Sequence, residues 1–272
     1  MSTRMKLAGA ALGLMLMAPA ASAATCGNTG AGFSAWLAQF KRQAAAQGIP
    51  ARVIRAALGN VTYNPYVIKL DRNQHSFKLS FRKFWNLRVN NAMIRKGRKI
   101  MRARARLFSR IERRFGVPAP VLTAIWGLET GFGRNSGHMP VFRSLATLAY
   151  DCRRAPFFRN ELMSALRIVA RGDMSPRAMR GAWAGEIGQT QFLASKYLQY
   201  AVDFDGDGRR DLIRSVPDVL ASTANFLRAH GWRRGGGWAP GTANYNVIKQ
   251  WNRATVYQKT ISVMADKLAG RR

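Results

Sequence analysis

The sequence predicts a mostly α-helical protein, and three observations carry that prediction. Apolar residues recur at helical spacing through most of the 272-residue chain, glycines and prolines stand where those patterns stop, and convincing strand patterns are scarce. With 47% hydrophobic and 10% aromatic residues, the chain has material for a sizeable core and is not composed like a disordered protein. Its length suits one large domain or two small ones.

The elements follow in order. "MSTRMK" is a basic start, "LAGAALGLMLM" an apolar stretch, and "ASA" at Ala21–Ala23 a small-residue cleavage site. Residues 1–23 are therefore expected to be a secretory signal, cleaved before Ala24 and too short for a spanning helix. Thr25, directly before Cys26, is bulkier than lipid attachment favours. Export to the periplasm follows, and no later window is apolar enough to cross a membrane. In an exported chain the two cysteines, Cys26 and Cys152, permit one disulfide tying the N-terminus to the middle of the sequence; two free thiols are the alternative.

Residues 24–115 read as an N-terminal helical part. Phe33, Trp36, Leu37 and Phe40 share one helical face, and Gly48 ends that helix; "ARVIRAAL" after Pro50 forms a second. "VTYNPYVIKLDRNQHSFKLSF" reads as more extended, and one long basic helix is expected from Phe84 to Phe115. Residues 116–272 then carry helices at Pro140–Tyr150, Pro156–Ala170, Gln189–Val202, Pro217–His230 and Asn246–Leu268.

Charge bounds the partners. Against 44 Lys and Arg stand only 13 acids, a formal charge of +31, which becomes 31 − 2 = +29 once Arg4 and Lys6 are cleaved away. Such a field draws polyanions, and export excludes cytoplasmic nucleic acid in favour of an anionic envelope surface. Part of the charge is equally accounted for as solvated surface.

Just four glutamates are present: Glu112, Glu129, Glu161 and Glu186. In "VLTAIWGLETGFG", Val121, Ile125 and Leu128 lie at i, i+4 and i+7, and Glu129 follows on the same face just before Gly131 and Gly133. Apolar neighbours and the negative end of the helix dipole both disfavour the charged form, which is how a general acid is built. A side chain that escapes to solvent, or pairs with an arginine, fits the spacing equally well. Further on, "GAWAGEIGQTQF" crowds glycines before Gln189 and Gln191. Glycines let backbone approach a ligand, and amides suit the hydroxyls and acetamides of sugars; a tight helix–helix contact would also need small residues.

Together, "IWGLETGFG", "LATLAYDCRRAPFF", "WAGEIGQTQFLASKYLQYAVDFDGDG" and "ANFLRAHGW" resemble the B-type lytic murein transglycosylases, from about Phe33 to the C-terminus. The resemblance implies a lysozyme-like helical catalytic domain that cleaves the MurNAc-β-1,4-GlcNAc bond of peptidoglycan without water, leaving a 1,6-anhydro-MurNAc end. It also implies no cofactor for the chemistry. Glu129 matches the family's single catalytic acid, Gln191 and Phe192 its substrate-binding pair, and Arg153 and Arg154 its paired arginines; Gln189 joins this substrate-binding set. Trp251 and Tyr257 fall where the family carries cleft-lining aromatics. The chain departs from the pattern at Ala182, where many members have serine, and at Glu186, a second carboxylate where alanine is usual. A pair of carboxylates opens the alternative of a hydrolytic muramidase, and a non-catalytic wall-binding protein is a third reading. A monomer acting on glycan strands is expected.

Residues 203–214, "DFDGDGRRDLIR", space their acids as an EF-hand-like loop. Asp203, Asp205, Asp207, the Arg209 carbonyl and Asp211 fall at positions 1, 3, 5, 7 and 9, with Gly208 at the turn. Arg214 stands at position 12 instead of glutamate, and Asp218 offers a late ligand. Ser215 to Asp218 also reads as a helix cap that needs no metal. A structural calcium ion is expected, a role the family's equivalent loop supports, with arginines as the competing partners.

Overall fold

The computed structural model describes residues 26–73 and 79–271; the expected signal segment, residues 1–23, lies outside them. Thirteen α-helices account for most of the described residues: α1 (Phe33–Ala46), α2 (Ala51–Leu58), α3 (Pro65–Arg72), α4 (Phe81–Arg88), α5 (Asn91–Ala103), α6 (Ala105–Phe115), α7 (Ala119–Thr130), α8 (Val141–Tyr150), α9 (Ala155–Arg171), α10 (Ala194–Tyr200), α11 (Val216–Ala229), α12 (Ala243–Trp251) and α13 (Thr255–Ala269). The sheet is a two-residue antiparallel pair, β1 (Met139–Pro140) with β2 (Arg180–Gly181), Met139 opposite Gly181.

α7 is the axis of the molecule. Nine of its twelve residues are buried, because "VLTAIWGL" is apolar all round rather than on one stripe. It packs against α13, α5, α6 and α11, while α8 packs on α9 and the two carry α1, α2 and α10. One apolar core runs from Phe33 to Leu268. Cys26 and Cys152 are disulfide-bonded, with Cα atoms 4.9 Å apart. Beside the bridge, Phe33, Trp36, Tyr63 and Tyr150 pack ring on ring, which seats α1 on α8.

Four expectations change. The stretch after Val61 holds a helix: Asn64 caps α3 by accepting from the Tyr66 N–H, and Pro65 supplies the first helical φ; residues 74–78 of that stretch lie outside the described residues. The single long helix from 84 to 115 is three helices. Val89 turns to extended backbone, Asn90 caps α5 through the Met93 N–H, and Arg104 (φ −115°, ψ 25°) interrupts the next turn. The helix expected from Gln189 starts at Ala194, because Ile187 and Phe192 bridge to each other across a tight turn. The C-terminal helix is divided at Asn252, whose side chain accepts from the Ala254 N–H.

Candidate active site

Glu129 occupies the last turn of α7. Gly131 takes a left-handed conformation (φ 60°) that ends the helix there, a position a β-carbon disfavours. The half-buried Glu129 carboxyl opens into a cleft of about 510 Å³ whose walls include Arg88, Trp183, Glu186, Gln191, Phe192 and Trp251. Burial pushes its pKa up from 4.5 to about 7, against the lowering effects of a hydrogen bond from Trp251, the nearby Tyr257 hydroxyl and the Arg88 charge; Glu186 adds to the rise. The Trp251 Nε1–H donates to Oε1 at 2.9 Å. The Tyr257 hydroxyl faces the acid without a well-formed hydrogen bond, and its own pKa is raised by burial and by Glu129. A carboxyl at about 7 exists in both protonation states near neutrality, so one side chain can give a proton and take one back.

Gln191 lines the same cleft at φ 56°, a left-handed backbone that non-glycine residues seldom adopt. Its Nε2 donates to the Ser136 and Gly188 carbonyls, at 3.1 and 2.9 Å, so that loop and side chain hold each other. Phe192 stacks edge-on with Trp251 and Phe226 to make an apolar wall. Glu186 also lines the cleft, but its Oε2 is buried without a hydrogen-bond partner and burial raises its pKa.

Gln189, Arg153 and Arg154 do not line this cleft, although the Arg154 charge works against the burial that raises the pKa of Glu186 in its wall. Gln189 is a buried pin instead. Its Oε1 accepts from Trp126 Nε1 at 2.9 Å and its Nε2 donates to the Ile213 carbonyl at 2.8 Å, tying α7 to the acidic loop. Arg153 and Arg154 both clasp Asp71 on α3, and Arg72 bonds Asp151, so these arginines fasten α3 to the start of α9. Burial alone would raise the Asp71 pKa, but the bonds from Arg153 and Arg154 outweigh it and hold the carboxyl below its usual range. Sequence reasoning missed Arg88, Trp183, Lys196, Gln250 and Asn252 in the cleft. Arg88 also donates to the Leu128 carbonyl at 2.7 Å, which anchors α4 to the end of α7.

In the acidic loop, carboxylate oxygens of Asp203, Asp205 and Asp218 lie within 4.8 Å of one another. Asp207 and Asp211 stand outside that group. Asp207 accepts from the Arg209 N–H, and Asp211 from the Ile213 and Arg214 N–H groups, which turns both into the loop backbone. Asp218 is fully buried; burial raises its pKa, as does Asp205, against the lowering effect of N–H groups from Phe204 and Asp211.

This arrangement has known counterparts. A family model described as Transglycosylase SLT domain matches residues 32–243. Membrane-bound lytic murein transglycosylase B of Escherichia coli (strain K12) is 40% identical over 138 residues, 48% of this chain and 38% of that protein, so the match spans well under half of the relative's length. SltB3 from Pseudomonas aeruginosa, solved in complex with NAG-anhNAM-pentapeptide, superimposes with a TM-score of 0.84 at 31% identity over 88% of this chain and 80% of that one. The fold is also that of the E. coli lytic transglycosylase Slt35 solved with calcium (TM-score 0.77, 24% identity, 86% and 92% covered). The chain is thus a mostly helical, lysozyme-like protein that belongs to the transglycosylase SLT domain family.

Proposed function

We propose that this protein is a periplasmic lytic transglycosylase that cleaves the MurNAc-β-1,4-GlcNAc bond of peptidoglycan and leaves a 1,6-anhydro-MurNAc end. The observation that carries the reading is the Glu129 carboxyl, brought to a pKa of about 7 at the floor of a cleft walled by aromatics and amides. Protonated Glu129 donates to the glycosidic oxygen as the bond to the anomeric carbon breaks. The resulting carboxylate then takes the proton from the MurNAc C6 hydroxyl, whose oxygen attacks that carbon. The substrate supplies the nucleophile, so neither a second carboxylate nor an organic cofactor is required. The peptidoglycan fragment bound to SltB3 supports the substrate class.

Glu186, in the same cleft, favours a second reading: hydrolysis by a carboxylate pair. Its buried Oε2 and raised pKa weigh against it, because a base must be ionised to activate water. Mass spectrometry of muropeptides released from purified sacculi separates the two. Anhydro ends are expected from the wild type, with activity at least roughly 10²–10⁴-fold lower in Glu129→Gln and far less affected in Glu186→Gln. Reducing ends, with both variants equally dead, would transfer the case to the hydrolase.

We also propose a structural calcium ion held by Asp203, Asp205 and Asp218. Three converging hard oxygens suit that cation, and it would offset the cost of the buried Asp218 charge. Millimolar calcium should raise the melting temperature, following RT ln(1 + [L]/Kd). An Asp205→Ala variant with the wild-type calcium response would refute the site.

A further inference from the structure

The outward side of α5 and α6 carries charge that the cleft does not use. Between Asn91 and Phe115 stand ten cations (Arg95, Lys96, Arg98, Lys99, Arg102, Arg104, Arg106, Arg110, Arg113 and Arg114) and one acid, Glu112. All ten are exposed, and among the described residues none of them forms an ion pair. The helices leave them no other orientation. α5 turns Ile94 and Gly97 inward and α6 turns Phe108, Ile111 and Phe115 inward, against α7, α11 and α13. Where α5 stops and α6 begins, the break at Arg104 opens a hollow of about 570 Å³ lined by Arg102, Arg104, Arg106 and Leu107.

Lys96 lies over the Phe132 ring, Arg110 and Arg114 over Phe204, and Arg98 donates to the Lys267 carbonyl, contacts that neutralise none of the charge. So many like charges along two adjoining helices repel one another, which costs stability unless a polyanion covers them. Eight of the ten are arginines, whose planar fork takes phosphate or carboxylate oxygens two at a time. Three arginines lining one concavity gather positive charge at a point, where a phosphate group offers more acceptor oxygens than a single carboxylate does. We propose that this face docks on an anionic phospholipid bilayer, with a lipid phosphate seated in the Arg102–Arg104–Arg106 hollow. Nothing in this proposal depends on the reaction assigned to the cleft.

The test is co-sedimentation with vesicles of phosphatidylglycerol and phosphatidylcholine, vesicles of phosphatidylcholine alone, and purified sacculi. Three proteins are compared: the wild type, R102Q/R104Q/R106Q, and a control losing three exposed cations elsewhere, R52Q/R55Q/R177Q. Each basic residue at a membrane surface contributes roughly fivefold to partitioning, so the hollow variant should bind the anionic vesicles on the order of 100-fold more weakly. The control should change much less, and neutral vesicles should bind none of the three. Because all substituted side chains are exposed, thermal melts by circular dichroism should coincide, confirming that each variant is folded. Equal losses in the two variants would reduce the effect to net charge and overturn the site. Loss confined to sacculi, with vesicle binding intact, would overturn the lipid in favour of the wall polymer.

Discussion

At the scale of single residues, protonation of Glu129 sets two measurable limits. Its pKa is about 7 in the folded protein against 4.5 for the free side chain. As pH rises from 4.5 toward 7, the unfolded chain loses a proton that the folded one keeps, so stability falls with pH across that window. The penalty for burying the charged form is absent below 4.5 and complete above about 7, where the rise from 4.5 to about 7 amounts to roughly 3 kcal/mol. Glu129→Gln should therefore match the wild type at pH 4 and melt above it at pH 8. Activity that needs the protonated acid should decline through the same pKa. Trp251→Phe keeps the ring packing on Phe192 and Phe226 but removes the donor that lowers that pKa, so its pH–activity profile should extend to more alkaline values. A profile left in place would mean that Trp251 serves packing alone. Glu129 is legible in the sequence because acids are scarce and this one interrupts an apolar helix. Arg88 is not: one arginine among 44 Lys and Arg carries no signal until α4 folds against the end of α7.

At the scale of elements, legibility follows how each boundary is made. α7 and α9 are bounded by proline at the start and glycine at the end, and α8 and α11 are opened by Pro140 and by the Ser215 cap, signals that act within a few residues. The breaks between α4, α5 and α6 fall instead inside a continuous run of good helix formers, where Asn90 is the single local signal and packing against α7 and α13 decides the rest. The turn from Gly181 to Phe192 was legible as a place of close backbone approach, but not as a place without helix. There the Ala182 N–H donates to the Glu186 carbonyl at 3.2 Å, and a β-carbon at Gly181 would collide with that same carbonyl oxygen. Backbone cannot swing aside as a side-chain end can. Gly181→Ala should thus cost at least about 2 kcal/mol, read as a lower urea midpoint, and should disturb the placement of Glu186 and Gln191 in the cleft. A variant of wild-type stability and activity would show that the loop has slack this packing does not suggest.

At the scale of the whole molecule, one covalent link sets how the N-terminal helices are held. The bond from Cys26 to Cys152 spans 126 residues of sequence and enters the protein where α8 passes into α9, two residues beyond Tyr150. The same region is held without covalent help: the rings of Phe33, Trp36 and Tyr63 pack on Tyr150, the Gly27 N–H donates to the Tyr150 carbonyl at 3.0 Å, and four arginine contacts fasten α3 to the start of α9. These contacts exist only in the folded state, whereas the bridge also restricts the unfolded chain. Closing a loop of this length removes enough denatured-state entropy to stabilise by about 5 kcal/mol. Replacing both cysteines by alanine should therefore leave the native contacts in place and lower the melting temperature by roughly 10–20 °C, given 2–4 °C per kcal/mol at this size. Reductant should lower the wild-type value toward that of the variant and leave the variant itself unmoved. A double variant that melts with the wild type would show that α1 and its aromatic cluster hold the N-terminal end unaided, and that the bridge closes a loop whose unfolded state is already compact.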